Sequence, residues 1–295
     1  MKPELRTRDA MRGFTLVETV MVLVITGIIS GIVAVFIKTT VDAYFDTSQR
    51  AELADAADAS LRRMARDIRL ALPNSLRVTS SGGKAYIEFI ATNAGGRYRD
   101  AGDGSTAGNI LDFTDTTKTS FDVLGPMPSL TTGASGDYIV VYNLGTGFEP
   151  ASAYKLSTCG TAPGCNIAQV SSTSGNTVTL SSNPFAAQTP PLPSPNSRFH
   201  VVPFATRSVT YECPTGSAGD VKRYWGYGIN ASQATPPTGG NSSLVVKNAT
   251  CTVDYTPAVL NRNGVLFIQF NIQATVRGST ETISVFQQIH VDNSP

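Results

Sequence analysis

GFTLVETVMVLVITGIISGIVAVFI, residues 13–37, is the most informative stretch of this 295-residue sequence. From Phe14 onward it holds a single ionisable side chain, Glu18. About 20 residues at 1.5 Å each cross the hydrocarbon core of a bilayer as a helix, so the run is long enough to span. Upstream, Lys2, Arg6, Arg8 and Arg12 outnumber Glu4 and Asp9, which keeps the leader cytoplasmic and places everything after Lys38 on the far side of the membrane. A secretory signal would carry a shorter apolar region followed by a small-x-small cleavage site, and neither feature is present. Glu18 is the anomaly: a carboxylate in an apolar span costs on the order of 2.5–3.5 kcal/mol on insertion scales, so it needs a partner. Gly27 and Gly31 form a GxxxG pair beside Ser30, which lets helices approach closely or lets this one loosen locally.

Past Lys38 the helical period continues, with Leu53, Ala57, Leu61, Met64, Ile68 and Leu72 recurring at steps of three or four. Pro73 ends the run, since it lacks an amide hydrogen and disfavours helix at Leu72. One long helix over 14–72 is therefore expected, membrane-spanning over 14–37 and amphipathic beyond. Asp58 with Arg62 and Arg63 with Asp67 are i,i+4 pairs worth a few tenths of a kcal/mol each. Arg62, Arg63, Arg66 and Arg69 read as a solvated helix face rather than a docking site for an acidic partner.

After Pro73 the period becomes two. Strands are expected at 86–90, 138–144, 198–204, 208–213, 223–229, 265–276 and 282–291, the last two joined as a hairpin through Arg277, Gly278 and Ser279. Long loops fall at 92–103, 188–196 and 231–243, where flexible insertion is the default and surface recognition the alternative. The fold class is α+β, with the apolar stripe of the helix laid on an antiparallel sheet and 73–295 forming one β-rich exported head.

Composition narrows the function. The chain has 23 basic against 22 acidic residues, a net charge of +1, which argues against nucleic-acid binding. Cys159, Cys165, Cys213 and Cys251 are even in number and lack CxxC spacing, favouring disulfides over zinc or redox chemistry. Of three possible pairings, Cys159 with Cys165 and Cys213 with Cys251 is preferred, the larger loop stabilising the head by roughly 2–4 kcal/mol. The two histidines, His200 and His290, come with no GxSxG, HExxH or P-loop, so no catalytic residue and no cofactor are expected. The segment from Asp100 to Asp103 lacks EF-hand spacing and reads as a turn, with no metal site.

The segment Gly13-Phe14-Thr15-Leu16-Val17-Glu18, after a short basic leader and before an apolar helix, resembles the class III signal of type IV prepilins. The resemblance implies an α/β-roll fold and a prepilin peptidase that cuts between Gly13 and Phe14, removing residues 1–13 and N-methylating Phe14. Glu18 then neutralises the new ammonium of a neighbouring subunit at low dielectric and sets its axial register. Many pilins carry a helix-breaking proline further along; this span has none, so local melting would fall at Gly27 and Gly31. Short stretches at 64–78, 208–229 and the C-terminal QQIHVDNSP are similar to MshO-type minor pilins of mannose-sensitive haemagglutinin (MSHA) pili. Implied partners are other pilin subunits through the N-terminal helix, the peptidase and the inner-membrane assembly machinery. The implied location is a single-pass inner-membrane state with the head in the periplasm, then an extracellular pilus. A minor pseudopilin of type II secretion and a pilus-tip adhesin are the alternatives.

Overall fold

In the computed structural model of the chain, the structure describes residues 13–101, 108–257, 263–276 and 279–295. The chain divides into two compact units, Met1–Glu52 and Leu53–Pro295. A single helix, α1 (Leu16–Arg69), supplies nearly all the described part of the first unit and opens the second. Within the first unit its apolar side chains are exposed from Leu16 to Ile37. Its threonines keep their hydroxyls inside the helix: Thr19 donates to the Thr15 carbonyl at 3.2 Å and Thr26 to that of Val22 at 2.6 Å. Such back-bonding satisfies a hydroxyl where no water is at hand. The helix runs unbroken through Gly27 and Gly31.

In the second unit the stripe is buried. Ala57, Leu61, Met64, Ala65 and Ile68 are inside, while Arg62, Arg63, Arg66 and Arg69 stay in solvent, as the period of 3.6 dictates. The helix ends by tightening: Leu70 and Ala71 donate to the carbonyls of Asp67 and Ile68, three residues back, and Leu72 turns its amide to Ile90 at 2.7 Å. Pro73 then stands outside the helix.

The head begins with the hairpin of β1 (Arg77–Ser81) and β2 (Lys84–Ile90), turned by Gly82 and Gly83, both at positive φ as a two-residue hairpin turn requires. The chain next makes an excursion of six strands: β3 (Ala94–Tyr98), β4 (Ser120–Leu124), β5 (Tyr138–Val140), β6 (Ile167–Ser174), β7 (Thr177–Leu180) and β8 (Arg198–Val202). These close into a barrel in the order β3-β4-β7-β6-β5-β8. The chain returns through β9 (Ser208–Pro214) and finishes with β10 (Gly219–Trp225), β11 (Asn241–Thr256), β12 (Gly264–Val276) and β13 (Ser279–Val291). A seven-stranded antiparallel sheet results, in the order β1-β2-β9-β10-β11-β12-β13.

The α+β class is thus present, with the helical stripe packed on the sheet. Ile87, Phe89, Tyr211, Leu266, Ile268 and Phe270 meet the helix in one core. The barrel has its own, built on Tyr98, Phe121, Phe185, Phe199 and Val201. A third cluster, with Leu72 and Ile90 on one side and Tyr138, Tyr154 and Ile167 on the other, seals sheet to barrel. Disulfides join Cys213 to Cys251, tying β9 to β11 across β10, and Cys159 to Cys165 beside the third cluster.

The barrel is an addition that periodicity did not reveal, and several boundaries move with it. Residues 92–103, read as a loop, contain β3. Its Gly95 and Gly96 disguise it, yet a Cβ there would lie 2.9 Å from the Phe199 carbonyl and 2.7 Å from its ring, so β3 can approach β8 only with glycines. The run 138–144 stops as a strand at Val140, because Tyr142 takes a φ of 50°. The run 198–204 ends at Val202, before Pro203, and 223–229 shifts back to Gly219–Trp225, because Gly226 (φ 77°) turns the chain. Strand β11, sixteen residues long, escaped notice because Asn248 at φ 52° interrupts its alternation. The hairpin strands β12 and β13 pair as far as Val276 opposite Ser279; Arg277 and Gly278 lie outside the described residues.

Candidate functional site

Gly13, Phe14 and Thr15 precede the first helical residue, and Thr15 is the helix N-cap. Its Oγ accepts the amide of Glu18 at 3.2 Å and its carbonyl accepts that of Thr19 at 3.1 Å. With Glu18 three residues on, the local sequence is a Thr-x-x-Glu capping pattern, a signal legible from the sequence alone. The Glu18 carboxylate stands at the positive end of the helix dipole and has no partner among the described residues. A Cβ placed on Gly13 would meet nothing within 4 Å, so no packing among the described residues demands a glycine there. The same openness surrounds Gly27 and Gly31.

The helix beyond is long and apolar enough to cross a membrane, and none of its spanning portion is buried. In the second unit the helix makes contacts with the sheet. There Asp67 does not pair with Arg63; its Oδ2 accepts from the Tyr211 hydroxyl and from Arg223 Nε, both at 2.8 Å, latching helix to sheet. Asp58 does pair with Arg62 at 2.8 Å, in solvent.

On the sheet face away from α1, two carboxylates are buried. Glu88, 1% exposed, accepts from Arg77 Nε at 2.6 Å and from the Tyr227 hydroxyl at 2.9 Å. Glu212, 2% exposed, accepts from Lys84 and from the Tyr224 hydroxyl, and burial together with that carboxylate pushes the Tyr224 phenol up to about 12. Burial and the Glu88 charge raise Tyr227 as well. Arg77 also donates to the carbonyls of Asn230 and Ala231, and Gln233 bridges Thr79 and the Tyr86 carbonyl. Part of 231–243 is therefore strapped to the sheet rather than flexible, a feature no local pattern announced. Loop 188–196 is anchored too, Gln188 bonding to Cys165 and Leu192, and Ser194 to the Tyr98 hydroxyl.

These are structural pairings, each carboxylate spent on a cation and a hydroxyl. His200 lies on β8, half-buried, its Nε2 without a partner among the described residues, and burial lowers its pKa. His290 is exposed on β13. Asp100 accepts from the Ser197 hydroxyl, while Asp103 lies outside the described residues. Among the described residues no group of three or more His, Cys, Asp or Glu is placed to hold a metal.

Residues 8–34 match the family described as the prokaryotic N-terminal methylation motif. That motif, which covers the N-terminal segment alone, indicates a type IV pilin-like or pseudopilin precursor and implies processing by prepilin peptidase, a membrane-anchored stage and assembly with other pilins. No curated protein and no solved structure matches the chain.

Proposed function

We propose that this chain is a minor pilin of an MSHA-like type IV pilus, a low-abundance subunit that helps to initiate or extend a filament used in surface attachment. Prepilin peptidase cuts between Gly13 and Phe14, Phe14 becomes the N-methylated first residue, and Glu18 pairs with the ammonium of a neighbouring subunit. The single observation that carries the reading is a carboxylate, Glu18, without a partner among the described residues, at the head of an apolar helical stretch, Leu16 to Ile37, whose large side chains are exposed. A helix of that kind is covered by lipid and then by other helices, and its charge is met by another chain. Gly13 supports the cut: a Cβ there would meet none of the described residues within 4 Å, so the glycine reads as serving an outside reader. The MSHA assignment rests on the short stretches at 64–78, 208–229 and the C-terminus. Before assembly the chain is a single-pass inner-membrane protein with residues 73–295 as a periplasmic head.

Mass spectrometry of the N-terminal peptide, comparing sheared filaments with the membrane fraction, tests this. The expected result is a peptide beginning at N-methylated Phe14 in both. An uncut Met1 form confined to membranes, in a strain with active peptidase, would overturn the reading.

A further inference from the structure

The two edges of the seven-stranded sheet, β1 and β13, differ in how they are protected. Strand β1 is five residues long, and residues 230–233 are strapped to it: Arg77 donates to the carbonyls of Asn230 and Ala231, and Thr79 to Gln233. Strand β13 is thirteen residues long and pairs with β12 in unbroken register, without a bulge. It contains no proline, lysine or arginine, and Glu281 is its single formally charged residue. In an antiparallel ladder, alternate residues turn amide and carbonyl away from the neighbouring strand. Among the described residues, no backbone group outside β12 bonds to that free side of β13. Edge strands are ordinarily kept short, bulged, charged or covered, because an open one pairs with a strand that reaches it. In this sense β1 is guarded and β13 is open.

The side chains of β13 show what fits there. On the face toward α1, Ile289 and Val291 are buried, but Ile283 and Val285 are only half-buried, although their partners on β12, Ile272 and Phe270, lie inside the core. On the other face Phe286 is 70% exposed and stacks on Phe267, ring centroids 6.1 Å apart. A further strand with apolar residues beside Ile283, Val285 and Phe286 would complete both faces.

Pairing thirteen residues takes a strand of ~44 Å, at about 3.4 Å per residue. Segments 102–107 and 258–262 are too short to supply it, and residues 1–12 are the leader, across the membrane in the pilin reading. A second copy joined symmetrically through β13 would have its two-fold axis normal to the sheet. That axis reverses α1 on the second copy, whereas chains anchored in one membrane run their helices the same way. Head-to-tail pairing would use β1, which is short and strapped.

We propose that β13 is a docking edge on which an extended, largely uncharged strand of another pilin-like subunit adds to the sheet. This deepens the pilin reading and rests on it, since the methylation motif implies assembly with other pilins.

The test uses the full-length chain in cells that build filaments. Thr282→Lys with Gln288→Lys places two charges on β13, and Ser80→Lys with Ser81→Lys does the same on β1; all four residues are exposed. Both double variants should melt as wild type does, and only the β13 variant should be lost from sheared filaments. A photocrosslinking amino acid at Gln288 should join the chain to a strand of a different protein that carries an N-terminal methylation motif of its own. Normal incorporation of the β13 variant overturns the proposal, and so does equal loss of both variants, which would trace the effect to added charge. Adducts only with a second copy of this chain, or with no pilin-like protein, overturn it too. A wild-type chain absent from filaments overturns the pilin reading itself.

Discussion

Glu18 and Asp67 sit on the same helix and meet opposite fates. Asp67 finds Tyr211 and Arg223 within its own fold, whereas Glu18 finds no partner among the described residues. A carboxylate at the head of an apolar span persists only if something outside compensates it, so Glu18→Ala is expected to block incorporation into filaments while cleavage after Gly13 proceeds. Normal incorporation of that variant, scored by immunoblot of sheared filaments, would refute the pairing role. His200 gives a second prediction at this scale. Burial holds its imidazole below the usual value near 6.5; Asp292 opposes this and Arg198 adds to it. The unfolded chain therefore takes up a proton that the folded chain resists, so this contribution is complete above the unfolded pKa and is lost as pH falls below it. Thermal melts should show His200→Gln losing less stability than wild type between about pH 7 and pH 5. Parallel pH profiles would show that His200 is not the titrating group.

Among the elements, α1 shows how one periodicity serves two environments. Its stripe at Ala57, Leu61, Met64 and Ile68 was legible because a helix laid on a sheet buries every third or fourth residue. Leu61→Ala is expected to cost about 2–5 kcal/mol in urea unfolding, since Leu61 is 1% exposed in a closed core. The polar pairs on the same helix separate by burial. Asp67→Ala removes two bonds to a part-buried charge and should cost roughly 1.5–3 kcal/mol, whereas Asp58→Ala, whose pair lies in solvent, should change stability by less than about 1 kcal/mol. Equal losses would mean that the latch to Tyr211 and Arg223 adds nothing beyond a surface ion pair. Strand β3 is the counter-example to legibility. Gly95 and Gly96 depress its strand propensity, and only the position of Phe199 explains why glycine is there.

At the scale of the whole head, the barrel is a guest in the sheet. It leaves after β2 and returns before β9, strands that pair directly from Ile90 opposite Ser208, and Ala91 donates to the Arg207 carbonyl at 3.2 Å. Separate cores imply separable stability. Phe121, fully buried and edge-on to Phe199, is expected to cost about 3–5 kcal/mol when changed to alanine. Hydrogen exchange should then quicken in β3 to β8 and leave β12 and β13 protected. Uniform loss of protection would show that the cluster around Leu72, Ile90 and Tyr154 couples the two into one cooperative unit. The strap from Asn230 to Gln233, the two buried carboxylates and the barrel closure all depend on residues distant in sequence.

The sequence by itself determined the apolar span, the N-terminal methylation motif, the anomaly of Glu18, the amphipathic stripe and the α+β class. Each is a local signal, written within a few turns of helix or one strand by charge, period or spacing. Only the tertiary structure decided the closed barrel, the latch from Asp67 to β9 and β10, and the partners of Glu88 and Glu212. The physical reason is that period reports which face of an element is buried, whereas closure and polar pairing depend on which distant strand arrives opposite. No spacing along the chain encodes that arrival.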